Sequence, residues 1–309
     1  MSTRGNIRLG TSAFTAAGWE GAFYPEGMKP ADYLSYYARQ FDTVEIDSTY
    51  YRAPSAATVR GWEAKTPPGF LFAAKVPQSI THEKLLLDCE EEFQEFVERM
   101  QLLGTKLGVL LLQFPYFNKQ AFRSVDGFLE RLAPFLEHLP KGVRFALEVR
   151  NKYWLGPRLF DLLRSRGVAL AFTDHPWMPR PGEWFQKGDP VTADFSYVRW
   201  LGDRKGIEER TKTWDKTIVD RRGELTEWAN VCWKISARGI PIFAYANNHY
   251  AGHAPATVRL FQEIWEKEGR GAESAEDRGA ARSQKGAALS PAAAGSGSRS
   301  VTSSAPAKR

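Results

Sequence analysis

Glu45 and Asp47 stand two residues apart in the stretch FDTVEIDSTYYRAP, and Glu148 and Arg150 repeat that spacing in RFALEVRN. Both runs are apolar or β-branched enough to be strands. A side-chain period of two then puts each pair on one face. Carboxylates on a buried strand are costly unless paired, hydrated or used. In FLFAAKV, Lys75 falls on the face opposite Phe72, Ala74 and Val76. Carboxylates converging with a fixed lysine suit general acid/base chemistry with electrostatic stabilisation of developing negative charge. In that chemistry Glu148 is the candidate acid or base, tuned by Arg150. Glu45 is its catalytic companion, and Lys75 stabilises charge. Arginine forks match carboxylate and phosphate groups. The expected ligand is therefore a small anion, phosphorylated or nucleotide-like.

These residues need a scaffold that gathers strand ends. Apolar runs at 7–11, 43–46, 70–76, 107–113, 144–149, 169–173, 196–201 and 240–246 alternate with stretches of helical length at 30–40, 56–65, 90–103, 124–138, 153–166, 225–237 and 255–268. Pro30 and Pro255 fall in first helical turns, and Gly104, Gly167 and Gly239 just past helix ends, as caps require. Eight such units predict an α/β fold, a single-domain TIM (β/α)8 barrel. A doubly wound sheet is the competitor, but no G-x-G-x-x-G follows the first strand. The stretch 176–194 has no helical period and is read as a long loop.

A barrel carries its active site where the strands finish. Each strand of this chain ends polar: Thr11 and Ser12; Glu45, Asp47 and Thr49; Lys75; Gln113; Glu148 and Arg150; Asp174 and His175; Arg199; Asn247 and Asn248. Asp47, Thr49, Tyr51, His82, Gln113, Arg150, Asp174, Arg199 and Asn247 are the candidate substrate contacts, with Gln113 and Asn247 orienting the substrate. Tyr51, Trp154, Trp177, Trp200 and Tyr245 are candidate stacking rings. The plain structural alternatives are a strand-end ion pair for Glu148 with Arg150, mutual neutralisation of Lys75 and Glu45, and rim packing for the rings.

Composition bounds the partners. The chain of 309 residues is 43% hydrophobic and 13% aromatic, enough for a packed core. Its formal charge is +6, yet residues 270–309 hold seven basic and three acidic side chains, which leaves +2 for residues 1–269. A basic surface gripping duplex nucleic acid is therefore weakly supported. Residues 1–269 are read as the barrel. Residues 270–309, without an aromatic, are read as a disordered, basic, Ala/Gly/Ser-rich tail. No export signal or membrane span is expected, and two distant cysteines fit a cytoplasmic protein.

The chain resembles the family known as domain of unknown function 72 over about residues 5–268. The resemblance rests on LGTS with GWEGAFYP, FDTVEIDSTYYRAP, FLFAAKV with ITHEK, LGVLLLQFP and FALEVRNKYW, in that order. It implies a TIM barrel and supplies no reaction. The family's motifs fall on Glu45, Thr49, Lys75, His82, Gln113, Pro115, Glu148, Arg150 and Asp174. Two departures stand out: the family commonly has asparagine where this chain has Asp47, and the loop SAFTAAGWEG differs from the usual Gly-Trp-x-Tyr pattern.

The expectation is an enzyme with hydrolase-like acid/base chemistry on a small anionic ligand in the barrel mouth, with no cofactor and no required metal. The alternatives are an endonuclease-IV-like metal-dependent phosphodiesterase or DNA-associated protein, a glycoside hydrolase, and a non-catalytic module that binds a small anion. A divalent metal is the weaker case, because such sites need several imidazoles and only His82, His175, His249 and His253 lie near strand ends.

Overall fold

A computed structural model describes residues 6–267; the tail read as disordered lies outside the described residues. Eight parallel strands form one barrel: β1 (Ile7–Thr11), β2 (Thr43–Ile46), β3 (Leu71–Lys75), β4 (Leu107–Gln113), β5 (Arg144–Glu148), β6 (Ala169–Asp174), β7 (Ser196–Trp200) and β8 (Ile242–Ala246). Hydrogen-bonded ladders run in the order β1-β8-β7-β6-β5-β4-β3-β2. The TIM barrel expected from the alternation is the fold observed.

The seam between β1 and β2 is closed by side chains. The Tyr37 hydroxyl accepts the Thr11 amide at 2.8 Å and donates to the Thr43 carbonyl at 3.2 Å. Asp42 accepts the Leu9 amide at 3.3 Å. Gly10 makes this approach feasible, since a Cβ there would stand 2.1 Å from the Thr43 carbonyl oxygen.

Helices α1 (Tyr33–Tyr37), α2 (Ala56–Ala64), α3 (Glu90–Gln101), α4 (Val125–Glu137), α5 (Pro157–Ser165), α6 (Arg204–Glu208), α7 (Arg222–Ser236) and α8 (Asn248–Ala251) lie among the strands, followed by α9 at 254–267. Their apolar stripes set their packing. α3 buries Phe93, Phe96, Val97 and Met100, a spacing of three and four that lays one face on the sheet. Ser55 caps α2 by accepting the Thr58 amide at 3.1 Å. Gly104, Gly167 and Gly239 adopt positive φ at helix ends.

The stretch 176–194 holds only the short 3-10 turn Pro181–Glu183. It does the work of a missing helix: Met178, Trp184 and Val191 are buried, and the Trp184 ring packs on Phe172 of β6 at 5.1 Å.

Strand alternation divides two apolar populations. Val44, Ile46, Phe72, Ala74, Leu110, Leu112, Phe145, Leu147 and Phe172 face the helices. Ala73, Val109, Leu111, Ala146, Ala171, Phe195, Tyr197, Phe243 and Tyr245 fill the lumen. The polar strand ends sit on the lumen face, one period further along β2, β3, β4, β5 and β7.

Candidate active site

Glu45 and Glu148 are fully buried, as is Arg199 at 1% exposure. The Arg199 guanidinium donates from Nη2 to Glu45 at 2.7 Å and from Nη1 to Glu148 at 2.6 Å. The Tyr197 hydroxyl gives Glu45 a second donor at 2.6 Å. Burial works against a charge on Arg199, but the Glu148 and Glu45 carboxylates outweigh it and hold the guanidinium charged. Glu148 feels the same contest. Burial favours its neutral acid; Arg150, then Arg199, override it and hold the carboxyl at about 2.

Two consequences follow for the residues singled out in the sequence. Arg199 is committed to two carboxylates inside the barrel and is not available as a surface cation for a ligand. Glu148, held at about 2, carries no proton at neutral pH and accepts one poorly. Its geometry makes it the anchor of two guanidinia.

Arg150 is the outer member of this chain of charges. Its Nε donates to Glu148 at 2.5 Å, and its side chain is 16% exposed. Among the described residues, no oxygen accepts from its Nη1 or Nη2. Lys75, with its side chain 12% exposed, pairs with Asp47. Its ammonium also lies 5.4 Å from the centre of the Tyr50 ring. Thr49 sets the place of Lys75 by donating to the Lys75 carbonyl at 2.8 Å or the Ile46 carbonyl at 3.0 Å, tying the ends of β2 and β3 together.

Two imidazoles feel the charge of these cations. His82 sits in a π-turn, Ser79–Glu83, an element frequent at functional sites. Its Nδ1 is 2.9 Å from the Thr81 hydroxyl, and its ring meets Tyr50 edge-on at 5.1 Å. Burial, then Lys75 and Arg150, lower its pKa to about 4. His175 is lowered to about 4 by burial, then Arg150. Its Nδ1 accepts the Trp177 amide at 3.3 Å, so the neutral ring carries its proton on Nε2.

Other candidates are placed differently. Asp174 turns away from the lumen, onto the Phe172 face of β6. There its Oδ2 accepts Trp228 Nε1 at 2.6 Å and the Tyr250 hydroxyl at 3.0 Å. Burial raises its pKa. It ties β6 to α7 and α8. Asn247 caps α8, its Oδ1 accepting the His249 amide at 3.0 Å. Gln113 ends β4 opposite Glu148 and donates to the Phe114 carbonyl at 2.8 Å.

Among the rings, Tyr245 is buried in the lumen, 2.8 Å from the Thr43 hydroxyl. Trp200 packs outward on Phe261, and Trp154 on Phe128. Tyr51 and Trp177 remain exposed. Tyr50 and Tyr197 carry no mark in the sequence beyond lying in the right strand and loop. Strand periodicity would have put Tyr197 on the Arg199 face.

The donors present suit anions better than metals. Among the described residues, no group of three or more His, Cys, Asp or Glu is arranged to hold a metal ion. Glu45 and Glu148 are already spent on Arg199. Among the same residues no helix is long and apolar enough to cross a membrane.

The model of the family "Protein of unknown function DUF72" matches residues 8–282. The UPF0759 protein YunF of Bacillus subtilis is 27% identical over 265 residues, 80% of this chain and 92% of its own. The UPF0759 protein YecE of Escherichia coli K12 is 34% identical over 135 residues, 44% of this chain, which spans 47% of that relative's length. A DUF72 family protein from Thermotoga maritima superposes with a TM-score of 0.65 at 28% identity, covering 84% of this chain and 99% of that one. A DUF72 family protein from Enterococcus faecalis gives 0.62 at 22% identity, with 84% and 95% covered.

Proposed function

The chain belongs to the DUF72 family, and we propose that its barrel mouth is the active site of an enzyme acting on a small anionic, phosphorylated substrate with side chains as proton carriers. One observation carries the reading. Arg150 is fixed through Nε by Glu148, which leaves its Nη pair without a partner among the described residues, and its charge reaches both His82 and His175, lowering the pKa of each.

The roles follow from that geometry. Arg150 and Lys75 receive the anion, the first as a fork and the second as a point charge. Glu148, Arg199 and Glu45 form a rigid buried strut, so that Arg150 needs little reorganisation when charge develops. His82 and His175 carry protons. They are neutral in the free protein because of burial and, second, the nearby cations. An anion bound to Lys75 and Arg150 cancels that second contribution and raises both imidazoles toward their ordinary range. Proton transfer is thereby coupled to occupancy. Glycoside hydrolysis is less favoured, because the two buried carboxylates share one arginine instead of facing a sugar.

The test is release of inorganic phosphate from a panel of phosphate monoesters by the full chain, with Arg150→Met as the comparison. The reading expects Arg150→Met to lower turnover about 100-fold or more, the scale of losing one oriented donor. Unchanged turnover in that variant, with circular dichroism confirming its fold, would remove it. Arg150-dependent binding without turnover of any ester would leave the non-catalytic anion-binding module.

A further inference from the structure

The chain has ten tryptophans, all within the described residues, and Trp177 alone among them is exposed. It is 56% exposed, and Tyr116, the ring beside it, is also 56% exposed. The two meet edge-on at 5.8 Å, and His175 meets Trp177 edge-on at 5.0 Å. Large apolar rings left in water beside a polar mouth are an unsatisfied surface.

Their position gives that surface a purpose. Tyr116 lies three residues past the end of β4 and Trp177 three past the end of β6. β4 and β6 are the two neighbours of β5 in the sheet. The ring pair therefore bridges the end of β5, where Glu148 and Arg150 stand. His175 links both ends, through its ring contact with Trp177 and through the field of Arg150 on its pKa.

We infer that Trp177 and Tyr116 form a stacking subsite for a planar ring, so that the substrate is a nucleobase-bearing phosphate, a mononucleotide, with its phosphate on Arg150. This rests on the anion-binding reading above and narrows it. Trp177, 56% exposed, offers ring surface on which a base can stack. A sugar phosphate without a base would use the same Arg150 and leave the rings wet.

Calorimetry on the full chain with inorganic phosphate, ribose 5-phosphate and adenosine 5′-monophosphate tests the inference separately from the reading. The expected result is that the nucleotide binds about tenfold more tightly than the sugar phosphate. Trp177→Ala abolishes that margin without weakening the sugar phosphate, and Trp177→Phe restores part of it. Equal affinities for the nucleotide and the sugar phosphate in the unaltered protein overturn the inference and leave the reading standing. No binding of any of the three that Arg150→Met removes overturns both. A single-stranded oligonucleotide is the fourth ligand. Binding no tighter than the mononucleotide supports the proposal, and a preference for the strand of more than tenfold overturns the mononucleotide in favour of a polymer.

Discussion

Arg150 gives Glu148 only its Nε–H, at 2.5 Å; the other oxygen of Glu148 is taken by Arg199 at 2.6 Å. A carboxylate paired with two guanidinia and held at about 2 is a poor proton carrier at neutral pH, but it can aim an arginine. That relationship moves the chemistry outward from the buried glutamates to the mouth.

Arg199→Met would leave Glu45 and Glu148 buried without their shared cation. Removing one partner of a buried ion pair costs about 3–5 kcal/mol. Urea denaturation should show a loss of that size. Adding Glu45→Gln and Glu148→Gln to Arg199→Met should recover part of it, and a triple variant no more stable than the single one would contradict the strut.

Stability should fall with acid in two stages. His82 and His175 have folded pKa values of about 4 against an ordinary 6.5. They bind protons more readily unfolded, so their contribution is full above about pH 6.5 and is lost as pH falls to about 4. Glu148, lowered from 4.5 to about 2, contributes fully above 4.5 and loses its part as pH falls through 2. Thermal melts of His82→Asn should show a shallower decline between pH 6.5 and 4, and an unchanged slope there would contradict the assignment.

Catalytic pH profiles should separate free and occupied sites. The profile of kcat/KM reports the free protein and that of kcat the complex. With the anion cancelling the field of Lys75 and Arg150, the acid limb of kcat should lie at higher pH than that of kcat/KM. Coincident limbs would mean that occupancy does not tune the imidazoles.

Asp47 competes with any anion for Lys75. Asp47→Asn should strengthen binding of inorganic phosphate roughly two- to tenfold, as removal of one nearby like charge does. Weaker binding would show that Asp47 orders Lys75 for the ligand.

Gly10→Ala should open the β1–β2 seam. Its Cβ would press on the Thr43 carbonyl at 2.1 Å, and overpacking of this kind costs about 1–3 kcal/mol or more. A melting temperature equal to the parent's would mean that the seam has room to spare.

The barrel was legible because both of its periods are written in residue types. Apolar runs mark the strands, and the period of two separates Phe72, Ala74 and Val76 from Lys75. Applied to β6, the same rule puts Asp174 on the Phe172 face, away from Thr173. The polar end of the strand masked that. The period also puts Trp200 on the Val198 face, opposite Arg199, where Phe261 covers it; it does not say how deep in the lumen Tyr245 lies, which its contact with the Thr43 hydroxyl decides. The sharing of Arg199 between β2 and β5 is a contact across the lumen, and no local spacing encodes it. His82 owes its position to a π-turn, which has no sequence period of its own.

The most direct measurement is an anomalous difference map from a crystal of the full chain soaked in tungstate, a heavy analogue of phosphate. The account expects a peak in the barrel mouth within hydrogen-bond reach of Arg150 Nη and Lys75 Nζ, absent from Arg150→Met. A mouth with no peak, or one that survives loss of Arg150, would contradict it.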